Sequence, residues 1–272
     1  MTDTYVHVRN LDVSYGSRTA ALRGVSLDLA KGGRLALIGE SGSGKSTLAM
    51  AIAGLLPTSA TTLGAIEFPA LPQKPRPGKD IGVVFQDPNG SLDPVMSVGD
   101  QIAEVVMTHQ GTGWISARVR AVELLDRVRI PKALSRLNSY PHEFSGGQRQ
   151  RIALAAALAG RPSLLIADEP TSALDTLVQQ HIVDLLDVLV RESGLTLLFV
   201  THDIALASQR ADRIAVLYKG RLVEIGETTK VLRQPEHPYT KALISTHVSL
   251  ATPRRKRLAE VDMAEIDMSG LR

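Results

Sequence analysis

Leu35-Ala36-Leu37-Ile38-Gly39-Glu40-Ser41-Gly42-Ser43-Gly44-Lys45-Ser46-Thr47 decides the architecture of this chain. An apolar run of strand length ends in a turn of the form G-x-x-x-x-G-K-[ST], and a helical stretch, Ser46–Ala53, opens where the turn stops. The glycines let the backbone curl so that successive N–H groups point inward at phosphate oxygens, and the helix N-terminus adds its partial positive charge. Candidate ligand-binding residues are therefore Gly39, Glu40, Ser41, Gly42, Ser43, Gly44, Lys45, Ser46 and Thr47. Lys45 is expected to reach the β- and γ-phosphates of a nucleotide, and the Ser46 hydroxyl to ligate Mg2+. A plain Gly/Ser turn before a helix is the bland alternative. The bare pattern arises by chance in about one chain of this length in a hundred, and the preceding strand makes that alternative minor.

Working outward, strand-length apolar runs recur at Ile81–Phe85, Ser163–Ala167, Thr196–Val200 and Arg213–Leu217, alongside Arg34–Ile38. Continuous apolar strands alternating with helical patterns predict an α/β core of mostly parallel strands covered on both faces. Val6–Val8 and Val25–Leu29 alternate instead and read as antiparallel strands with one wet face. Between Val98 and His142 apolar residues recur at helical spacing without a strand candidate, which predicts a helical subdomain inserted into the core. Pro69–Gly78, with four prolines, reads as a loop.

Composition excludes several classes. Apolar residues at 44% and charged residues at 22% of 272 positions are enough to bury a sizeable core. Cysteine is absent, which removes disulfides, Cys-ligated zinc and iron–sulfur clusters and fits a reducing compartment. No run of 18 apolar residues occurs, so a membrane role has to pass through partners. A net charge of +3 is too small to predict nucleic-acid binding, and Arg254–Arg257 reads as a solvated basic run.

A second acidic site follows the strand Leu164–Ala167. Asp168 ends it, placed to hold Mg2+, and Glu169 stands where the chain turns, placed as a general base for an attacking water. Alone, two acids before Pro170-Thr171 would more simply cap the next helix. The phosphate-type turn upstream favours the metal-and-base role.

Phe144-Ser145-Gly146-Gly147-Gln148-Arg149-Gln150-Arg151 resembles the signature motif of ABC ATPases, with Phe where Leu is more usual. From the residues alone, a Ser hydroxyl and two Gly amides opening the helix that runs to Leu158 make a second anion-binding tip. The resemblance runs from about Val6 to Ile225 with six motifs in family order. It implies that Tyr15 stacks on adenine and that Gln86 senses Mg2+ and the attacking water. It further implies that Ser172-Ala173-Leu174-Asp175 crosses a dimer interface and that His202 contacts the γ-phosphate. In the family, Ser145, Gly146, Gly147 and Gln148 close on the γ-phosphate held by a second subunit.

Phe85-Gln86-Asp87-Pro88, Ser91-Leu92-Asp93-Pro94 and Glu236-His237-Pro238-Tyr239-Thr240-Lys241-Ala242-Leu243 resemble the oligopeptide/dipeptide/nickel importer branch. Pro238 is expected to start a short helix whose Tyr239 and Leu243 pack on the core, a structural role. The resemblance implies a P-loop ATPase domain over 1–250 with the helical subdomain at about 96–160, a branch-type C-terminal segment at 226–250 and a mobile tail at 251–272. It implies ATP and Mg2+ as cofactors, a second ATPase subunit, identical or homologous, in a head-to-tail dimer, two membrane-spanning permeases and, indirectly, an extracytoplasmic solute-binding protein. It places the chain at the cytoplasmic face of the inner membrane. A soluble kinase has no use for Ser145–Gln148. The ATPase-like component of phosphonate-degrading machinery is the alternative within the same branch.

Overall fold

Apolar runs of five residues, bounded by turns, are too short for helices and too apolar for a wet face, and they assemble as buried parallel strands. In the computed structural model, which describes residues 3–16, 19–171 and 176–246, the strands divide between two sheets. The larger contains β3 (Arg34–Ile38), β5 (Ile81–Val84), β6 (Leu164–Asp168), β7 (Thr196–Val200) and β8 (Arg213–Tyr218), paired in parallel. β9 (Arg221–Glu227) closes one edge antiparallel, giving the order β5-β6-β7-β3-β8-β9. The smaller sheet is antiparallel, with β1 (Thr4–Tyr15) between β2 (Thr19–Ala30) and β4 (Ala60–Glu67).

β6 and β7 are buried at every position, as expected of strands covered on both faces. The anticipated parallel strands match the observed ones to within a residue at either end, whereas Val6–Val8 and Val25–Leu29 cover only part of β1 and β2. β4 and β9 carry no signal in the sequence pattern. Both are edge strands whose residues stay largely exposed or half-buried, so no apolar alternation marks them.

Between β5 and β6 the chain forms α2 (Pro88–Ser91), α3 (Val98–Gln110), α4 (Trp114–Arg127), α5 (Ala133–Arg136) and α6 (Gly146–Ala159). β5 and β6 nevertheless pair directly, so these helices are an insertion into the sheet. α3 starts where the Ser97 hydroxyl accepts from the Asp100 N–H and stops at Gly111, φ 66°. Val98, Ile102 and Val106 on its inner face, with Leu124 and Leu125 of α4, join a core shared with α7 (Thr176–Ser193). Each such buried side chain contributes about 1.5–3 kcal/mol.

The opposite face of the large sheet packs on α1 (Lys45–Ala53) and the inner face of the antiparallel sheet. A third cluster joins β8 to α8 (Ile204–Arg210), α9 (Thr228–Arg233) and α10 (Pro238–Thr246), which Pro238 opens as expected. Among the described residues no helix is long and apolar enough to cross a membrane.

Candidate nucleotide site

Sheet order brings the candidate residues together. β5, β6, β7 and β3 are consecutive neighbours, all parallel, and Asp168, Val200 and Leu37 lie level with one another across three strands. The carboxyl ends of these strands therefore present Gln86, Asp168-Glu169, Thr201-His202 and the phosphate-type loop in one row. Ligands of open parallel sheets bind at such a row of carboxyl ends.

The loop itself needs glycine. Gly44 has φ 103°, and a Cβ there would sit 2.6 Å from the Ala21 carbonyl oxygen. No side chain caps α1, so its first N–H groups remain open to a ligand. Lys45 is 5% exposed and its Nζ donates to the carbonyls of Gly39 (2.8 Å) and Glu40 (2.9 Å). Burial pulls the Lys45 pKa down, against the opposing pull of Glu169, Asp168 and Glu40. Its Nζ stands 4.0 Å from Glu169 Oε1. Tyr15 donates its hydroxyl to Thr47 Oγ1 at 3.5 Å, at the start of α1.

Glu169 sits on a turn with φ 44°, its N–H donating to the Val200 carbonyl at 2.9 Å. A non-glycine residue in that region costs about 1–3 kcal/mol, which the neighbouring strands sustain. The turn aims the carboxylate back across the row: Oε1 is 3.4 Å from His202 Nδ1 as well as near Lys45.

Asp168 is 6% exposed and its Oδ1 has no hydrogen-bond partner. Burial is the main force raising its pKa, helped by Glu169 and opposed by the Ser46 hydroxyl and Lys45. An orphaned buried carboxylate oxygen beside a hydroxyl fits a hard divalent cation completed by phosphate and water oxygens. Among the described residues no cluster of three or more His, Asp or Glu forms an all-protein metal site. That suits Mg2+, which is commonly held by one or two protein oxygens plus substrate phosphates.

A cavity of about 490 Å3 joins Ser41, Gly42, Gly44–Thr47, Gln86 and Glu169. Arg23 of β2 and Lys219 of the β8–β9 turn also line it, and the sequence pattern gave neither. Lys219 has φ 47°, and the next residue, Gly220, donates its N–H to the Ser43 carbonyl at 2.9 Å. The adjacent Lys-Gly pair marks a turn, but nothing local says which loop that turn meets. A larger cavity of about 580 Å3, between Ile52, Ile66, Phe68 and Leu71, lies away from this chemistry.

Ser145, Gly146, Gly147 and Gln148 line neither cavity. They open α6 as a reciprocal cap: the Gln148 N–H donates to Ser145 Oγ (3.4 Å), and the Ser145 N–H donates to Gln148 Oε1 (3.0 Å). Asp175 lies outside the described residues.

A glycine-rich loop feeding a helix, a buried lysine and an acidic strand end at one row define a P-loop nucleotide-hydrolysing domain. The sequence matches the family described as ABC transporter over residues 22–172 and that described as oligopeptide/dipeptide transporter, C-terminal region, over residues 223–269. The chain belongs to the ABC transporter family, as one of its ATP-binding, ATP-hydrolysing subunits.

It is 41% identical over 278 residues to the oligopeptide transport ATP-binding protein OppD of Bacillus subtilis, covering 97% of this chain and 78% of that protein. It is 43% identical to the dipeptide transport ATP-binding protein DppD of the same organism, covering 88% and 75%. Among solved structures, a dimeric post-hydrolysis state of the ATP-binding cassette MJ0796 bound to ADP and Pi has a TM-score of 0.71 at 31% identity, covering 82% of this chain and 98% of that one.

Proposed function

We propose that this chain is the ATPase subunit of an importer for peptides or a related solute such as an opine or nickel chelate. In this proposal it acts at the inner face of the membrane as one half of a head-to-tail dimer. The single observation that carries the site reading is the row of strand ends, in which Gln86, Glu169 and the phosphate loop face one cavity and His202 stands 3.4 Å from Glu169. The oligopeptide/dipeptide C-terminal match and the names of the relatives support the importer and its solute class.

Each subunit binds ATP on its own phosphate loop, with N–H groups of residues 42–47 around the phosphates and Tyr15 against the adenine. Lys45 transfers its ammonium from the Gly39 and Glu40 carbonyls to the β- and γ-phosphates. Ser46, Asp168 and Gln86 are the residues that would hold Mg2+, which would supply charge neutralisation on the phosphate oxygens. Glu169 accepts a proton as a water oxygen attacks the γ-phosphorus in line and the bond to ADP breaks. His202 orients that carboxylate, 3.4 Å away, and reaches the γ-phosphate.

Ser145, Gly146, Gly147 and Gln148 act on the nucleotide of the other subunit. ATP then has different affinities for the open and closed pair, which is what driving a conformational change requires. A groove of about 340 Å3 bordered by Phe85, Val105, His109 and Ala153 supports docking of a membrane-spanning permease just beyond Gln86.

Mixing copies carrying Ser145→Arg with copies carrying Lys45→Ala tests the division between subunits. Each variant alone is inactive, and the mixture regains one working site per dimer if the tip acts across the interface. A mixture as dead as its parents would overturn that arrangement.

A further inference from the structure

Tyr239 is almost fully buried, 199 residues from Glu40 in sequence, yet the Glu40 N–H donates to its hydroxyl at 3.0 Å. The bond joins α10 to the phosphate loop. Its place in the loop is what gives it weight. The Glu40 N–H and the Gly39 carbonyl belong to one peptide group, and that carbonyl accepts from Lys45 Nζ at 2.8 Å. A single peptide plane is thus held on its N–H side by Tyr239 and on its oxygen side by Lys45. Hydrogen bonds on opposite ends of one amide polarise it in the same sense and strengthen each other.

The tyrosine is held from three directions. Its ring stacks on Tyr218, centroids 4.2 Å apart. Its N–H donates to His237 Nδ1 at 3.1 Å. The turn before α10 is tied to β9, where the Glu224 carboxylate accepts from the N–H groups of Glu236 (3.0 Å) and His237 (3.1 Å). The hydroxyl is therefore presented to the loop by a rigid anchor.

We infer that Tyr239 is a positioning residue of the ATPase site: the C-terminal segment, through this hydroxyl, fixes the Gly39–Glu40 peptide and hence where Lys45 waits for phosphate. This goes beyond the packing role that the sequence suggests for the helix, and it rests on the nucleotide site proposed above. Burial, more than the Glu40 charge, pushes the Tyr239 pKa up to about 12, against the pull of the Glu40 N–H. The phenol stays neutral at every working pH, so its contribution is flat with pH.

The test is Tyr239→Phe in the full chain, which keeps the ring stack and the volume and removes only the acceptor. Losing one neutral hydrogen bond corresponds to about a fivefold change in an equilibrium constant. Titration with the fluorescent nucleotide mant-ATP in the presence of Mg2+ should show affinity falling by about that factor. The same factor should hold at pH 6.5 and pH 8.5, with KM for ATP raised and kcat nearly unchanged. Hydrogen exchange followed by mass spectrometry should quicken in the peptide containing Glu40 while α10 keeps its protection. Unchanged affinity, or loss of protection across α10 with a general fall in melting temperature, would overturn the positioning role. Failure of the unsubstituted chain to bind mant-ATP would instead sink the nucleotide site itself, so the two failures are distinguishable.

Discussion

Two helix N-termini in this chain have anion-cradling sequences, and they are built in opposite ways. At α1 the N-cap is Gly44, no side chain closes the first turn, and the loop is clamped by buried Lys45, by the β8–β9 turn and by α10. At α6 the N-cap is Ser145, and Ser145 and Gln148 satisfy each other's N–H groups at an exposed tip. The first end is braced by the fold and leaves its donors free. The second is a partly exposed tip that caps two of its own donors, the Ser145 and Gln148 N–H groups. A cradle with open donors and a separate self-capped tip are what a pair of chains needs if each offers the other its missing half.

Glu169→Gln sharpens the contrast most, because in the proposed mechanism it stops the step that separates the halves. Removing a general base costs about 10²–10⁴ in rate. Turnover should fall by that order while ATP binding persists, and light scattering should show an ATP-dependent dimer. Normal hydrolysis by the variant would remove Glu169 from the role of base.

Gly44→Ala and Ser145→Ala should then split in kind. A Cβ at φ 103° facing the Ala21 carbonyl strains the loop by roughly 3 kcal/mol, about 100-fold in ATP affinity. Ser145→Ala leaves the loop of its own chain intact, so ATP binding should hold within about twofold while hydrolysis falls on the order of tenfold or more. Equilibrium titration beside a steady-state ATPase assay reads both. A Ser145 variant that loses binding as Gly44→Ala does would mean the two ends serve the same nucleotide in one chain.

The contrast also marks what was legible in sequence. Both tips are contiguous, so residue type and spacing disclose them: Gly39–Thr47 after a strand, Ser145–Gln148 before a helix. The same holds for Asp168-Glu169 at a strand end. The row that joins them was only implied by family resemblance, because strand order is a property of the whole sheet and β5, β6, β7 and β3 are far apart in sequence. Arg23 and Lys219 were invisible for the same reason. Tyr239 was legible as a helix residue packing on the core, and that packing is real. Its hydroxyl reaches Glu40 only because α10 folds back beside β8, which no local pattern states.

Asp168→Asn tests whether the braced end is built for a cation. Its folded pKa lies above the ordinary value near 3.8, so the fold disfavours the charged form. Without ligand, the stability associated with this group is greatest below the unfolded pKa and declines as pH rises toward the folded one; near neutrality the charge is a liability. Asn removes the charge at nearly constant shape. The melting temperature without nucleotide should rise by roughly 2 °C at pH 7 and much less at pH 4. The added stabilisation from Mg2+ and ATP should shrink. A variant with undiminished Mg2+-ATP stabilisation would exclude Asp168 as the ion's support.

The smallest effect concerns how the solvent-facing tip is aimed. Phe144, immediately before Ser145, is buried, and the Arg136 guanidinium lies 4.3 Å from its ring centroid. The same arginine donates to the Glu143 carbonyl at 2.9 Å, and Arg149 Nε donates to the Phe144 carbonyl at 2.9 Å. Two arginines thus hold the backbone leading into the cap, and the ring adds a contact that Leu cannot make. A partly exposed cation–π pair is worth about 0.5–1 kcal/mol, a factor of roughly 2–5. Phe144→Leu should therefore lower hydrolysis by about that factor and leave ATP affinity unchanged, because Phe144 touches the tip and not the cradle. Arg136→Ala should lower hydrolysis by at least as much, since it also removes the bond to the Glu143 carbonyl, and the double variant should lose little more than Arg136→Ala alone. Fully additive losses would separate the ring from the guanidinium, leaving the tip aimed by its capping box.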